Sequence, residues 1–393
     1  MHQRVISLWS IFVLLPFFFI ACSDDPTSLG SNLLTQDNII ISKLDSYTDT
    51  LSQKFDPRHA VLSLGSSDVL LVGKDANVES QLLLAYSFSL ADKYIKDFDS
   101  LTIVSSKVSL HKIYSFGDTL QPFNVGIYQV TSTWNSLYTT DSLSKITYDK
   151  TSLVESTDLS SDVYSLGVNN SLTTEWFKAA KDTSLGKNFG ILIKPTGTCK
   201  FTGFASSTSL NSDVPTFQVI VKKSTAYETY QDTLTYSGSV DVHIIQGTFP
   251  EATNKTLTVQ CGTGMQGKLW FDLSKLPNDA VANTAILTLS LDTLNTKVGS
   301  SFIDGMVAYQ LADSVTDSTI ASYVISLPRS GNTYIGDVAR IINNAILSKT
   351  NLGMLITSNY QTTGLENYAI FNSAAANNEL KPRLTITYSQ KKK

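Results

Sequence analysis

The chain has 393 residues, with 30 Lys and Arg against 34 Asp and Glu, a formal net charge of −4. Hydrophobic residues make up 42% and charged residues only 16%, so real cores can form and wholesale disorder is excluded, while the absence of a basic balance argues against a phosphate-binding, nucleic-acid partner. The length predicts two domains, or three small ones, after any targeting segment, and low charge with plentiful Ser, Thr, Leu, Tyr and Phe is the profile of a β-rich extracytoplasmic protein.

Residues 1–21 read as a secretion signal. His2 and Arg4 give a modest positive start, and Val5 to Ile20 form an apolar core. That core is too short and too abruptly ended for a transmembrane helix, which needs about 20 apolar residues. Phe19-Ile20-Ala21-Cys22 resembles the lipobox of bacterial lipoproteins. The resemblance implies cleavage before Cys22, acylation there, and a membrane partner reached through the lipid, since each buried CH₂ contributes about 0.8 kcal/mol. Ser23, Asp24 and Asp25 resemble the short acidic signal that sends some Gram-negative lipoproteins to the outer-membrane surface; a plain solvated tether is the alternative. Pro26 to Leu34 is similar to the opening of a family of uncharacterised lipoproteins. Residues 22–44 are expected to be the lipidated cysteine and its tether.

Beyond the tether, period-two runs such as Ser106–His111, Asn124–Val130 and Leu384–Tyr388, bounded by Gly, Asn, Asp and Ser, predict many short strands. The two halves also match in order. Tyr86–Leu90 matches Leu269–Leu273, the strand around Val108 and Leu110 matches Ala285–Leu289, and Ile127–Val130 matches Ala308–Leu311. Asn188–Ile193 matches Asn351–Ile356, and Phe204–Ser206 with Val214–Val219 matches Phe371–Ser373 with Lys381–Ile386. Two copies of one module are therefore expected at 45–222 and 232–390, joined by a linker at 223–231. Cys199 and Cys261 fall in different copies, which leaves them as buried free thiols.

One helix is predicted in each copy. Val338, Ile341, Ile342, Ala345 and Ile346 make one apolar stripe, with Asp337 placed to cap it and Asn351-Leu352-Gly353 to end it. Trp176, Phe177, Ala179 and Ala180 take the same place in the first copy, and their expected role is core packing. The fold class is all-β: two tandem jelly-roll-like antiparallel sandwiches, each with one short helix.

The order of motifs in the second copy, from Phe271–Pro277 through Ala285–Leu289, Tyr309, Asp337–Ile341 and Asn351–Ile356 to the closing Pro382-Arg383-Leu384, resembles the DNRLRE domain of secreted bacterial proteins. The first copy is more divergent, lacking Leu-Pro after Phe88, and the acidic-arginine end that names the family is absent from both. The resemblance implies a jelly-roll sandwich and accessory or wall-associated modules, some of which bind carbohydrate; it does not carry function by itself.

Catalytic motifs are scarce. Gly262-Thr263-Gly264-Met265-Gln266-Gly267 spells a dinucleotide fingerprint, but a strand follows it where a helix is needed, so a hairpin loop is expected. The histidines are scattered, and no zinc spacing, nucleophile elbow or EF-hand loop is present. No cofactor is expected, and a structural calcium is left open with no residue nominated. Trp134, Tyr138, Tyr148 and Tyr164 in the first copy, and Tyr323 and Tyr334 in the second, are the candidate ligand-binding aromatics, with burial under loops as the alternative. Asp-(Ser/Thr)-(Ala/Ile/Leu/Val/Met/Thr) tripeptides at Asp49, Asp99, Asp118, Asp141, Asp232, Asp292, Asp313 and Asp317 resemble an O-glycosylation sequon, or are turn chemistry.

The expected function is that of a non-catalytic cell-surface lipoprotein of the outer membrane, an adhesion or structural display module. Its partners are the membrane through the anchor and a surface protein or polysaccharide. Polysaccharide capture for uptake is the runner-up, and a hydrolase or lyase the distant third.

Overall fold

The computed structural model describes residues 39–392 apart from 161, 210–212, 227, 251–252 and 302. The signal peptide expected at 1–21 and the anchor residues Cys22, Ser23, Asp24 and Asp25 lie outside the described residues. The described chain is all-β, with several antiparallel sheets and few short helices.

Two strands come first, β1 (Ile39–Asp45) and β2 (Gln53–His59). The first sandwich then follows as β3 (Val69–Lys74), β4 (Val78–Tyr86), β5 (Leu101–Phe116), β6 (Val125–Gln129), β7 (Val154–Leu159), β8 (Val163–Val168), β9 (Ile191–Pro195), β10 (Cys199–Ala205), β11 (Thr216–Ser224) and β12 (Thr229–Gly247). It carries helices α1 (Asp92–Lys96) and α2 (Asn170–Lys181). The second comprises β13 (Thr256–Gln260), β14 (Met265–Phe271), β15 (Val281–Ser290), β16 (Met306–Leu311), β17 (Thr319–Leu327), β18 (Arg329–Ser330), β19 (Thr333–Asp337), helix α3 (Ala339–Ser348), β20 (Met354–Ser358), β21 (Asn367–Phe371) and β22 (Arg383–Lys391).

In the first sandwich the strands β10-β3-β4-β12-β11-β5 close on themselves, because β10 pairs with both β3 and β5. The long strands β5 and β12 make this closure by passing from one layer to the other. β12 bends where its register shifts between Gly238 and Val240, as a bulge permits. Inside the ring sits an aromatic-rich core that includes Val108, Leu110, Phe204, Phe217 and Trp176. In the second sandwich a five-stranded sheet, β1-β22-β15-β19-β18, and a seven-stranded sheet that includes β2 share one core.

The chain divides between the sandwiches differently from the sequence expectation. The linker expected at 223–231 is a hairpin: β11 and β12 pair from Thr216↔Ser237 to Ser224↔Thr229. Residues 232–247 therefore finish the first sandwich, where β12 also pairs with β4. The second is finished by the N-terminus, since β1 pairs with β22 over Ile39↔Lys391 to Asp45↔Thr385, and β2 pairs with β14. Residues expected as tether (39–44) and as the start of the first copy (45–59) thus belong to the second sandwich. Leu44, Leu51 and Phe55 lie in its core. Alternation shows which face of a strand is apolar but not which neighbour it will pair with, so the pattern could not reveal this exchange. The first sandwich also has two helices rather than one, α1 being too short to leave a periodic signal.

Strand registers repeat between the sandwiches. Leu84 faces Ile191 where Leu269 faces Met354, and Tyr128 faces Leu192 where Tyr309 faces Leu355. Phe217 faces Val108 where Leu384 faces Leu287. The pairing of Leu84 with Leu269 puts Tyr86 at Phe271 and Phe88 at Leu273, so the sequence match of Tyr86 with Leu269 is out of step by two. A slip of two keeps every side chain on its own face, which is why alternation did not expose it. Even the glycines correspond: Gly190 and Gly353 have φ of +85° and +86°. A Cβ on either would stand 2.1 Å from Leu84 O or 2.5 Å from Leu269 O.

Helix α3 buries Ile341, Ile342 and Ala345, and Asp337 Oδ1 accepts from Ala339 N at 2.9 Å to cap its first turn. Lys349, at φ +53°, ends it, ahead of the expected stop at Asn351-Leu352-Gly353, which instead leads into β20 with Asn351 donating to Phe271 O. Helix α2 is capped by Asn169, whose Oδ1 accepts from Ser171 N, and buries Leu172, Thr173, Trp176 and Phe177. Between the sandwiches a third core gathers Leu64, Leu71, Val78, Phe116, Phe201, Ile245, Phe249 and Leu365 around Tyr114.

Candidate functional site

The predicted aromatics separate into three groups. Tyr164 is 3% exposed, edge-on to Phe123 and Phe204, and Tyr334 is fully buried with its hydroxyl donating to Asp304 Oδ1 at 2.6 Å. Neither is a ligand platform. Both sit on inward-facing strand positions, and in Tyr334 the one polar tip has a partner, as a buried phenol requires. Trp134, Tyr138 and Tyr148 do come together, but as a cover over Val130, Leu192 and Val242 on the outer face of the first sandwich. Trp134 Nε1 donates to Phe189 O at 2.6 Å and Tyr138 Oη to Thr133 O at 3.1 Å, so their polar atoms are spent on backbone. Tyr323 stands apart on β17 under the guanidinium of Arg340, 4.7 Å from the ring centre.

The glycine-rich hexapeptide is a hairpin loop between β13 and β14, with Gly262 and Gly264 at φ +74° and +76°. A Cβ on Gly264 would lie 1.9 Å from Ala60 O, just after β2, and one on Gly262 would lie 2.7 Å from Gly364 O, so both glycines serve close packing of the loop. Cys199 and Cys261 are free and buried, and burial raises the Cys199 thiol to about 11. Among the described residues no group of three His, Cys, Asp or Glu side chains could hold a metal ion, and no helix is long and apolar enough to cross a membrane. Three of the Asp-(Ser/Thr)-apolar tripeptides form Asx turns, in which Leu120, Leu294 and Val315 N donate to Asp118, Asp292 and Asp313 Oδ1. The apolar residue of each is left about nine-tenths exposed.

A cleft that the sequence reading did not single out lies at the same place in both sandwiches. It is bounded by the end of β4 or β14, the last turn of α2 or α3, and the Asn-x-Gly segment that starts β9 or β20. Asn188 braces it in the first sandwich, donating from Nδ2 to Tyr86 O at 2.9 Å and accepting Gly190 N at 2.8 Å on Oδ1. Asn351 does the same service in the second, donating to Phe271 O at 2.7 Å.

The linings differ. The first cleft, about 430 Å³, is walled by Tyr86, Phe88, Trp176 and Phe189 with Lys187 at its rim. The second, about 300 Å³, has Leu273, Ala345 and Ile346 where Phe88, Trp176 and Phe177 stand in the first. Phe88 lies on the short loop after β4, half-buried. Its ring stacks on Tyr236 at 4.1 Å and meets Trp176 at 4.9 Å, Phe217 at 5.5 Å and Phe177 at 6.0 Å. Two polar atoms of the lining residues, Tyr86 Oη and Trp176 Nε1, are buried in the core without a hydrogen-bond partner in the protein. Burial, with the nearby Asp241 carboxylate, pushes the Tyr86 phenol far up, so it stays protonated. The usable signal in the sequence was the asymmetry between the copies, Trp176-Phe177 against Ala345-Ile346.

Comparison with known proteins finds no matching family model, no similar curated protein and no similar solved structure. The likeness to the DNRLRE domain thus rests on the order of its short motifs.

Proposed function

We propose that this chain is a non-catalytic lipoprotein of the outer-membrane surface, anchored at Cys22, that presents its two sandwiches as one adhesive or structural display body. The observation that carries this reading is the exchange of strands. The segment that follows the proposed anchor enters β1 and β2, which belong to the second sandwich. Anchor and body are then coupled through strand pairing, and the first sandwich is borne outward on a junction with its own apolar core. Such a build suits display, because a load that reaches Ile39 passes directly into strands paired within the second sandwich.

The test is fractionation of cells expressing the wild-type chain and Cys22→Ala, with protease added to intact cells. The reading expects wild-type protein in the outer membrane and cleaved from outside, and the variant released in soluble form. A Cys22→Ala chain that still partitions with membranes, or a wild-type chain protected in intact cells, would refute it.

A further inference from the structure

We infer that β1 is the contact edge of a homodimer, in which two copies of this chain pair their β1 strands antiparallel about Ile40 and so join two five-stranded sheets into one. The inference goes beyond the reading of the chain as a display body and does not depend on how it is anchored. Three observations lead to it.

The first is an open edge. β1 stands at the end of its sheet and pairs only with β22 among the described residues. Ser46 N donates to Leu384 O, which continues the β1–β22 register by one residue. Backbone groups alternate in direction along an antiparallel strand, so Ile40, Ser42 and Leu44 turn theirs toward β22 while Ile39, Ile41 and Lys43 turn theirs outward. Asp45 turns outward too, but Asp49 takes both of its groups: Asp45 N donates to Asp49 Oδ2 at 2.7 Å, and Asp49 N to Asp45 O at 2.9 Å. The free edge therefore stops at Lys43.

The second is what this edge carries. Ile39, Ile40 and Ile41 are 57%, 39% and 70% exposed. Proteins that stay monomeric blunt such an edge with charge, Pro or a cover, and the first sandwich does so at the same place. Val219 pairs with Leu234 where Ile386 pairs with Leu44, so Thr229, Gln231 and Thr233 hold the positions of Ile39, Ile41 and Lys43. Helix α1 lies against the start of that strand, with Lys93 Nζ and Tyr94 Oη donating to Asp232 Oδ2 at 2.8 and 3.0 Å. In the second sandwich β15 follows β14 with no helix between them among the described elements. The fold therefore needs neither isoleucine nor a bare edge here.

The third selects the occupant. Residues 37–43 read Asp-Asn-Ile-Ile-Ile-Ser-Lys, which is acid, amide, three isoleucines, hydroxyl and base about Ile40. An antiparallel copy of the same segment meets each residue with a match: Asp37 with Lys43, Asn38 with Ser42, Ile39 with Ile41, and Ile40 with itself. A parallel copy would set acid on acid and base on base. Aliphatic and opposite-charge pairs across strands are favourable and like charges are not. The register also joins the outward groups of Ile39 to those of Ile41, and it ends on the Asp37–Lys43 pair where Asp49 shuts the edge. The contact is isologous, as a two-fold dimer requires. One strand pair is a small interface, so the association belongs to the weak, concentration-dependent class.

The experiment traps the pair as a disulfide, using the full-length chain in detergent over a range of protein concentrations. Across the two-fold, Ile40 faces itself in a non-hydrogen-bonded pair with Cα atoms about 4.5 Å apart, within the span that a disulfide bridges. On mild oxidation Ile40→Cys is expected to give a covalent dimer whose yield rises with concentration, above the background of the wild-type chain with Cys22, Cys199 and Cys261. Ser42→Cys, whose two copies would lie about 14 Å apart along the strands, should stay at that background. In the Ile40→Cys chain, Lys43→Asp sets like charges together at both ends of the ladder and should slow trapping about tenfold. Adding Asp37→Lys should restore it, which a merely structural role for Lys43 would not explain. No dimer from Ile40→Cys above background, as when the strand of another protein is the true occupant, would overturn the inference. So would equal trapping by Ser42→Cys, or trapping that ignores Lys43→Asp or is not restored by Asp37→Lys. None of these results bears on the Cys22 fractionation, so the two readings fail separately.

Discussion

The hydroxyl of Tyr114 donates to Glu366 Oε1 at 2.9 Å and accepts Leu365 N at 3.0 Å, joining residues 252 positions apart across the junction of the two sandwiches. Tyr114 is 2% and Glu366 4% exposed, so this bond holds a carboxylate at the centre of the apolar junction core. Removing the hydroxyl leaves both Glu366 and the Leu365 amide short of a partner. Tyr114→Phe is expected to cost about 2–3 kcal/mol, more than an ordinary buried hydrogen bond because one partner is charged. Chemical denaturation should show a lower midpoint and, with the junction weakened, a separation of the single transition into two. An unchanged midpoint would mean that the junction is held by its apolar contacts alone.

Acid should destabilise the protein in two stages. His243 is fully buried, with both ring nitrogens unpartnered in the protein, and burial lowers its pKa to about 3. The unfolded chain takes up that proton near pH 6.5, so the stability His243 contributes is complete above that pH. It is lost at up to about 1.4 kcal/mol per pH unit as pH falls toward about 3. Asp45 acts lower. Arg383 and Thr385 hydrogen-bond its carboxylate, and although burial opposes them its pKa falls to about 2. Its contribution, about 2 kcal/mol before allowance for the half-exposed Arg383, is present above about pH 4 and lost from there down to about 2. His243→Leu should flatten the stability profile between pH 6.5 and 4, and Asp45→Asn should lower stability at neutral pH and flatten the profile below 4. Denaturant midpoints measured across that range check both.

Removing residues 39–59 takes Leu44, Leu51 and Phe55 out of the second core and bares one edge each of β22 and β14. Loss of one large apolar side chain costs about 2–5 kcal/mol, so three together are comparable to the whole stability of a typical domain. The second sandwich should unfold while the first, complete within 69–247, keeps its amide protection. Hydrogen exchange read by mass spectrometry would show peptides of β15 and β22 exchanging fast and those of β4 and β11 slow. Uniform protection in the truncated chain would contradict the assigned strand exchange.

Gly190→Ala and Gly353→Ala should each be strongly destabilising, by about 2–4 kcal/mol. Each glycine combines positive φ with a carbonyl where a Cβ would go. Gly117, also at positive φ (+73°) but with nothing near its Cβ position, should lose only about 1 kcal/mol on the same change. Thermal midpoints of the three variants give the comparison.

Much of the architecture was legible because its signals are local. Strand alternation identified the β class, and the apolar stripe from Val338 to Ile346 lies where the sequence pointed, although the helix stops at Lys349 and not at the expected Asn351-Leu352-Gly353. Two things were not legible, for the same reason. Period-two alternation is blind to slips of two and to the identity of the neighbouring strand, so the Tyr86 block was misaligned and the roles of β1, β2 and β12 were missed. The cleft was hidden differently. Trp176 occupies a helix position that reads as core, and it is core; only the absence of a partner for its Nε1, a fact of three dimensions, marks it out. Conversely Tyr164 and Tyr334 looked like loop aromatics, because nothing local showed that sheet neighbours would cover them.

The exchanged strands also impose a schedule on folding. The first sandwich contains all its strands once Gly247 has emerged, but Asp45 meets its partner Arg383 only 338 positions later. Contacts so distant in sequence form late, so β1, with Ile39, Ile40 and Ile41 exposed even in the finished fold, must stay unpaired until β22 has emerged, whereas β2 can pair once β14 is present. The second sandwich is therefore fastened at its N-terminal edge by β22, a strand made long after the first sandwich is complete.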